Sequence, residues 1–282
     1  SGQKFCRSCF IEYFEDKARD TMLKYNMVGK GEDIGIALSG GKDSITTLFL
    51  MNKIAEKLGL KLYAISIDEG IAGYREKSLK LAKRACSNLD IPLHVVSFAE
   101  AFGKSLDEIV KIGELKPCTY CGVFRRKLLN EKAGKLGLNK IATGHNLDDE
   151  VQAILMNYIR GDIERLARQE HGRKNKPFVE RIKPLKRIPE KEVALYALLK
   201  DLEPSFDECP YSRESFRVAI RDFINSLEAE NAGIKYSIAS GYEKIAPSLK
   251  TNNLKFTTCE ECGEPTSRRI CKACELAARL GI

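Results

Sequence analysis

Short apolar, β-branched runs alternate with longer amphipathic stretches from about residue 33 to residue 185. DIGIALS, KLYAISID, IPLHVVSF, KIATGH and FVERIKPL read as strands, with TTLFLMNKIAEKLG, YREKSLKLAKRACSNLD, the stretch around Cys118 and Cys121, and LDDEVQAILMNYIRG as helices between them. Strands joined through helices cannot pair as hairpins. They require crossovers, which makes the sheet parallel with helices on both faces, an α/β fold. A helix is also expected over residues 10–28, and beyond about residue 186 the pattern is helical only. Residues 256–282 then turn cysteine-rich. The expected division is an N-terminal segment and helix over 1–30, an α/β catalytic domain over 31–212, a helical extension over 213–255 and a knuckle over 256–282.

The formal charge of +8 favours a polyanionic partner, nucleic acid above all. No apolar run reaches the ~18 residues of a membrane-spanning helix, and no membrane association is expected. The start, SGQKFCRSCF, lacks the apolar core of a secretory signal. Eight of the ten cysteines fall into four CxxC pairs, an arrangement of metal ligation in a reducing compartment rather than of secreted disulfides, so the cytoplasm is expected.

SGGKDS, Ser39 to Ser44, separates the first strand from its helix. Open α/β sheets bind ligands beyond the carboxyl ends of their strands. There, Gly40 and Gly41 let backbone approach an anion, and the helix N-terminus offers unpaired N–H groups and a positive dipole. Ser39 and Ser44 can add hydroxyls, Lys42 a cation, and Asp43 a ligand for Mg²⁺. The spacing matches neither GxxxxGK[ST] nor GxGxxG. A serine-capped glycine turn is the bland alternative. SGGKDS resembles the PP-loop of the ATP pyrophosphatases, which split ATP into AMP and pyrophosphate while adenylating a substrate oxygen. The resemblance implies that Ser39, Gly40, Gly41, Lys42, Asp43 and Ser44 hold the pyrophosphate portion, and that Asp68, at the end of AISIDEG, lies near the nucleoside.

GHNLDDE, Gly144 to Glu150, closes the fourth strand and opens a helix. Asp148 and Asp149 suit the first turn of a helix, where carboxylates interact well with the dipole. The alternative is a carboxylate pair facing the phosphate loop, able to bind Mg²⁺ or act as a general base. GHNxDD also resembles a recurring motif of the tRNA-modifying PP-loop enzymes, which places Gly144, Asp148 and Asp149 at the ATP site. His145 is not expected to be a catalyst.

Two CxxC pairs eight residues apart, Cys259/Cys262 and Cys271/Cys274, predict a closed tetrahedral zinc knuckle of structural type. Arg268 and Arg269 between the pairs give it a basic, RNA-facing surface. Cys6 and Cys9 look like half of a similar module, with no second pair of ligands beside them. Cys86 lies on an apolar helical stripe and reads as a buried thiol. Cys118, Cys121 and Cys209, the last 88 residues after Cys121, then stand as a set of three. Three thiolates can hold a [4Fe-4S] cube with one iron left open to a sulfide. A zinc site with a further ligand and a persulfide-forming redox pair are the other readings. Arg125 and Arg126, one turn from these cysteines, are candidate RNA phosphate contacts or a solvated helix face, and Lys127 shares the ambiguity.

Together these motifs resemble the archaeal and eukaryotic tRNA 2-thiouridine synthetases of the TtuA/NcsA type over nearly the whole chain, the departure being the missing first half of the N-terminal finger. The resemblance implies a [4Fe-4S] cluster on Cys118, Cys121 and Cys209, with Lys42, Asp148 and Asp149 taking part in catalysis. It implies ATP, Mg²⁺ and Zn²⁺ as further cofactors, tRNA as partner, and sulfide or a thiocarboxylated ubiquitin-like carrier as the sulfur source. A homodimer and modification of the wobble uridine, rather than a T-loop uridine or a cytidine, are expected on the same ground. A lysidine-type ligase and a non-catalytic zinc-ribbon RNA-binding protein are the rivals. The first leaves the three cysteines without a role, and the second leaves SGGKDS and GHNLDD unexplained.

Overall fold

The computed structural model describes residues 4–169, 178–212, 216–249 and 256–282. The chain runs α1 (Arg7–Lys24), β1 (Asp33–Ala37), α2 (Lys42–Leu58), β2 (Lys61–Asp68), α3 (Arg75–Ser87), β3 (Leu93–Ser97), α4 (Phe98–Phe102), α5 (Leu106–Ile112), α6 (Pro117–Lys135), β4 (Lys140–Ala142), α7 (Leu147–Ile159), α8 (Ile163–Arg168), β5 (Glu180–Ile182), α9 (Glu190–Leu199), α10 (Phe216–Glu230), α11 (Ile234–Ile245), β6 (Thr257–Thr258), β7 (Pro265–Thr266) and α12 (Lys272–Leu280). The five long-range strands form one parallel sheet in the order β3-β2-β1-β4-β5, as the strand–helix alternation requires. β2 is added on one side of β1 and β4 on the other, so the order reverses at β1. A crevice opens at such a reversal, beyond the carboxyl ends of the two strands.

Side-chain alternation assigns the helices to faces. Ile34 and Ile36 of β1, with Leu62 and Ala64 of β2, point to the side covered by α1, α2, α3 and α9, where Phe14, Leu48, Met51 and Tyr196 are fully buried. Ile65, Ile67 and Ile141 point to the other side, against α5, α6 and α12. Burial on both faces explains why these strands read as near-continuous apolar runs. Cys86 lies in the first core, as its apolar stripe implies, and burial pushes its thiol up to about 11.

The ends of the elements follow local chemistry. Gly59 takes the left-handed conformation that closes α2, Pro117 opens α6 at its first turn, and capping boxes begin α5 (Ser105, Glu108) and α7 (Asn146, Asp149). The expected fourth strand is shorter than its sequence run, because the chain leaves the sheet after Ala142 to form the loop that carries Gly144. Helices α10 and α11 pack on α7 through Ile220, Ile224 and Ala239 against Leu147 and Val151. In α12, Ala273 and Leu276 share a core with Phe124 and Leu128 of α6. No helix among the described residues is long and apolar enough to cross a membrane.

Candidate active site

The SGGKDS loop occupies the crevice beyond β1. Gly40 has φ +89°, and a Cβ there would lie 2.0 Å from the carbonyl oxygen of Ser78 in α3. The loop is thus pressed against α3, and only glycine meets both demands. Ser44 is buried, and its Oγ accepts from the N–H of Ser39 and of Gly40, each at 3.2 Å, while lying 2.9 Å from the Gly41 carbonyl. Its hydroxyl therefore closes the loop on itself instead of projecting outward. The first-turn N–H groups of α2 have no intrahelical acceptor, by helix geometry, and remain the natural anion donors. Lys42 Nζ reaches Glu190 at 2.7 Å and Asp43 at 3.1 Å, so an arriving phosphate competes with two carboxylates for it.

The β4–α7 loop touches the phosphate loop directly. A Cβ on Gly144 would come within 2.8 Å of the backbone at Asp43 and Ser44. Asn146 Nδ2 donates to Asp43 Oδ1 at 3.0 Å. The two sequence-adjacent aspartates then part company, as residues about 100° apart around a helix must. Asp149 caps α7 through Asn146, pairs with Arg217 at 3.0 Å and lies close enough to Asp43 for its charge to raise that residue's pKa. Burial is the larger cause of the upward shift at both Asp43 and Asp149, opposed by Lys42 and Arg217 respectively. Asp148, 5% exposed, turns away. It bonds Lys235 of α11, itself 5% exposed, and accepts from the Glu190 N–H at 2.8 Å. The carboxylates brought together are thus Asp43 and Asp149, while Asp148 holds α7, α9 and α11 in place. Asp68 accepts from the Gly70 N–H at 2.9 Å at the end of β2. His145 bonds Thr143 Oγ1 at 2.8 Å, and the protein packed about it, with Lys183 next, holds its pKa well below the imidazole range although its ring keeps solvent access.

Cys118 and Cys121 stand at the N-terminus of α6. Cys209 reaches them because the segment before it is tied to the phosphate loop: Ser205 N–H donates to the Gly40 carbonyl at 2.9 Å, and Ser205 bridges Gly41. Tyr211 continues the path, its carbonyl 3.6 Å from Cys118 Sγ and its hydroxyl donating to Asp107 at 2.7 Å. Burial pushes Cys121 up to about 12 and raises Cys209, with Arg125 opposing in both cases. Three thiols form a soft donor set suited to iron–sulfur or zinc, with the Glu69 carboxylate near enough to raise Cys121 and Cys209 further. Among the described residues, only Cys259, Cys262, Cys271 and Cys274 gather three or more Cys, His, Asp or Glu ligand atoms within 4.8 Å of one another. The trio is therefore spread wider than the ligands of a single tetrahedral zinc, whose sulfurs lie about 3.8 Å apart when each is about 2.3 Å from the metal. That spread fits thiolates on separate irons of a cube.

Arg125, a candidate for a phosphate contact or a solvated helix side chain, is half-exposed and lies beside the cysteines, with Glu69 at 3.8 Å. Arg126 folds back over Gly122, a Cβ of which would lie 3.3 Å from its Nη1. Arg181 of β5 reaches Asn130 of α6 at 2.9 Å, and burial together with Arg126 and Arg125 lowers its pKa to about 10. Lys127 pairs with Glu131 at 3.3 Å and lies beside Cys262 and Cys274.

In the C-terminal module, Cys262 and Cys271 sulfurs are 3.8 Å apart, and Gly263 supplies the left-handed turn after the first pair. Arg268 and Arg269 pair with the module's own Glu275 (3.7 Å) and Glu260 (2.6 Å) and stay exposed. Cys6 and Cys9 are both exposed at the start of α1, with Cys6 Sγ 3.2 Å from Ser8 Oγ.

Sequence reading passed over Arg75, Glu69, Glu190, Ser205, Arg217 and Lys235. Glu69 and Arg75 sit in DEGIAGYR, a loop at the carboxyl end of β2, which by position alone was a ligand-side segment. Glu190, Arg217 and Lys235 arrive from distant helices and Ser205 from the segment after α9, and none carries a local signal.

A profile of the PP-loop domain matches residues 13–228. A probable sulfurtransferase of Methanocaldococcus jannaschii is 40% identical over 289 residues, spanning 99% of this chain and 84% of that protein. Cytoplasmic tRNA 2-thiolation protein 1 of Schizosaccharomyces pombe is 41% identical over 284 residues, spanning 98% and 85%. Among solved structures, the U34-tRNA thiolase NcsA of Methanococcus maripaludis with its [4Fe-4S] cluster superposes with a TM-score of 0.88 at 38% identity, covering 100% of this chain and 91% of that one. Likeness of this extent, in sequence and in fold, leads to one assignment: the chain belongs to the PP-loop family and, within it, to the group of the cytoplasmic tRNA 2-thiolation proteins.

Proposed function

We propose that the protein is an ATP-dependent tRNA sulfurtransferase of the cytoplasm that converts the wobble uridine to 2-thiouridine. The observation that carries the proposal is the convergence of the phosphate loop and the three cysteines at the carboxyl ends of one sheet, with Ser205 of the Cys209-bearing segment bonded to Gly40. Relatives named for tRNA 2-thiolation and a structural neighbour named for U34 support the substrate and the position.

The uridine, extruded from its stack, presents its C2 oxygen to the α-phosphorus of ATP. The O–P bond forms, pyrophosphate leaves, and the oxygen is now esterified to AMP. A sulfur nucleophile then attacks C2 and AMP departs carrying the former uridine oxygen. The α2 N-terminus, Gly41 and Lys42 stabilise the charge on pyrophosphate. Asp43 and Asp149 would hold Mg²⁺ beside it, a task for which two neighbouring, half-buried carboxylates suit a hard cation. Asp68 bounds the nucleoside side. Cys118, Cys121 and Cys209 would hold a [4Fe-4S] cluster; when bound, it supplies an iron position open to an exogenous sulfide. The sulfur arrives as sulfide or from a thiocarboxylated ubiquitin-like carrier. Arg126 and Arg181, without a carboxylate partner among the described residues, meet tRNA phosphates on the approach to the cysteines. Cys259, Cys262, Cys271 and Cys274 would hold Zn²⁺ as a structural tie for α12, with Arg268 and Arg269 at the RNA-facing rim. Assembly as a homodimer completes the proposal.

Anaerobic preparation followed by Cys209→Ala tests it. The wild-type protein is expected to be brown, to contain iron and sulfide, and to thiolate tRNA. The variant should lose iron and thiolation while still binding ATP. A colourless, zinc-only wild type, or a variant that still thiolates, overturns the cluster route. Nucleoside mass spectrometry with position mapping reads which uridine carries sulfur.

A further inference from the structure

Glu69 and Arg75 form a buried ion pair between the phosphate loop and the cysteine site, 7% and 3% exposed, with Arg75 Nε 3.0 Å from Glu69 Oε2. The Nε–H, although near Glu69, is not aimed at it and makes no hydrogen bond among the described residues, so the pair with Glu69 is ionic, while the Nη donors of Arg75 are spent on the nucleotide side. Its Nη1 donates to the Ser39 carbonyl at 2.6 Å and to Ser78 Oγ at 2.9 Å, and its Nη2 to Ser66 Oγ at 2.6 Å. One guanidinium thereby fixes the first residue of the phosphate loop to the end of β2 and to α3. The other oxygen of Glu69 faces Arg125 Nη1 at 3.8 Å. Arg125 is one helical turn beyond Cys121 on α6, so the two side chains share a face. The Glu69 carbonyl also accepts from Leu106 N–H at 2.7 Å, which anchors the residue to the start of α5. Neither Glu69 nor Arg75 belongs to the phosphate loop or to the three cysteines, and a buried ion pair carries a desolvation cost.

We infer that Glu69 is a positioning residue that sets the distance between the phosphate loop and the three-cysteine site, through Arg75 on one side and Arg125 on the other. The inference rests on the thiolase reading and deepens it. The two chemical steps act on one uridine carbonyl, the first at its oxygen and the second at its carbon, and the adenylated uridine is exposed to water between them. Water attack expels AMP and restores the original uridine, so ATP is consumed without sulfur insertion. Holding the sulfur site within reach of the adenylate is what keeps the two steps coupled, and misplacement by ~1 Å costs ~100-fold in comparable steps.

The test uses the anaerobic holoenzyme with cluster and zinc in place, tRNA, ATP and sulfide, and reads pyrophosphate released and 2-thiouridine formed in the same reaction. Glu69→Gln keeps the size and removes the charge. It is expected to lower 2-thiouridine per pyrophosphate by at least about tenfold while pyrophosphate release continues. Glu69→Asp, retaining the charge on a shorter arm, should recover part of the ratio. Arg75→Lys, which keeps the charge and loses the fork, must lower the same ratio and serves where Glu69→Gln does not fold. A ratio equal to wild type in Glu69→Gln and Arg75→Lys, or a parallel fall of both products, overturns the positioning role. Wild-type enzyme that makes neither product overturns the thiolase reading instead, so the two failures are distinguishable.

Discussion

Adjacent glycines of the phosphate loop should respond oppositely to the same methyl group. Gly40 sits at φ +89°, and an added Cβ would meet the Ser78 carbonyl oxygen at 2.0 Å, its carbon at 2.8 Å and its Cα at 3.1 Å. All three are backbone atoms in the first turn of α3, whose Arg75 is pinned to Ser39. None can yield by a rotamer change. Forcing a side chain into the left-handed region costs about 1–2 kcal/mol, and overpacking against a rigid neighbour costs a further ~1–3 kcal/mol. Gly40→Ala should therefore lose roughly 2–5 kcal/mol, which at ~2 °C per kcal/mol for a chain of this size lowers the melting midpoint by ~4–10 °C. Gly41 has φ −79° and ψ 163°, an ordinary extended residue, and its Cβ would meet Ser39 Oγ at 3.6 Å and the Ser205 carbonyl oxygen at 3.9 Å, both ordinary van der Waals contacts. Gly41→Ala should melt within about 1 °C of wild type, since surface changes without a clash stay within ~0.5 kcal/mol. Differential scanning calorimetry of the nucleotide-free proteins measures both. A Gly40→Ala protein with the wild-type midpoint, or a Gly41→Ala protein damaged as much, would refute the contact between the loop and α3.

Asp148→Ala should destabilise the fold by ~3–5 kcal/mol, because it leaves Lys235 charged and buried without its partner; urea unfolding measures this. Asp149→Asn should cost less stability yet abolish adenylation, read as tRNA-dependent pyrophosphate release, and equal activity loss with equal destabilisation in both variants would contradict the separation. Glu243 joins α11 to Lys24, Lys186 and Arg187, and despite burial, which acts the other way, its hydrogen bond from Tyr25 and these cations hold its pKa below the usual value of 4.5. A depressed pKa means stability present above about pH 4.5 and lost as pH falls through the lower folded value. Glu243→Gln should thus be weaker than wild type by ~1–2 kcal/mol at pH 7, with the gap closing in acid; a gap that is constant with pH would count against the assignment.

Much of this molecule was readable along the chain. Short, near-continuous apolar runs joined by helical stretches force a parallel sheet, and SGGKDS at the first junction marks its ligand-binding end, because a glycine-rich strand-to-helix turn is a local device. The CxxC pairs were equally local: Cys259, Cys262, Cys271 and Cys274 close on themselves within one short segment. What the sequence left open is whatever depends on where side chains point across long separations. Asp148 and Asp149 are indistinguishable as letters, yet one helical step sends the first to Lys235 and the second toward Asp43. Ser44 reads as a phosphate donor, and only the folded loop shows its hydroxyl 2.9 Å from the Gly41 carbonyl. Arg125 reads as an RNA contact or a solvated side chain, and only the fold brings Glu69 within 3.8 Å of it. Cys209 is assigned its neighbourhood by Ser205 lying along Gly40 and Gly41, a contact between residues more than 160 positions apart that only the folded chain creates.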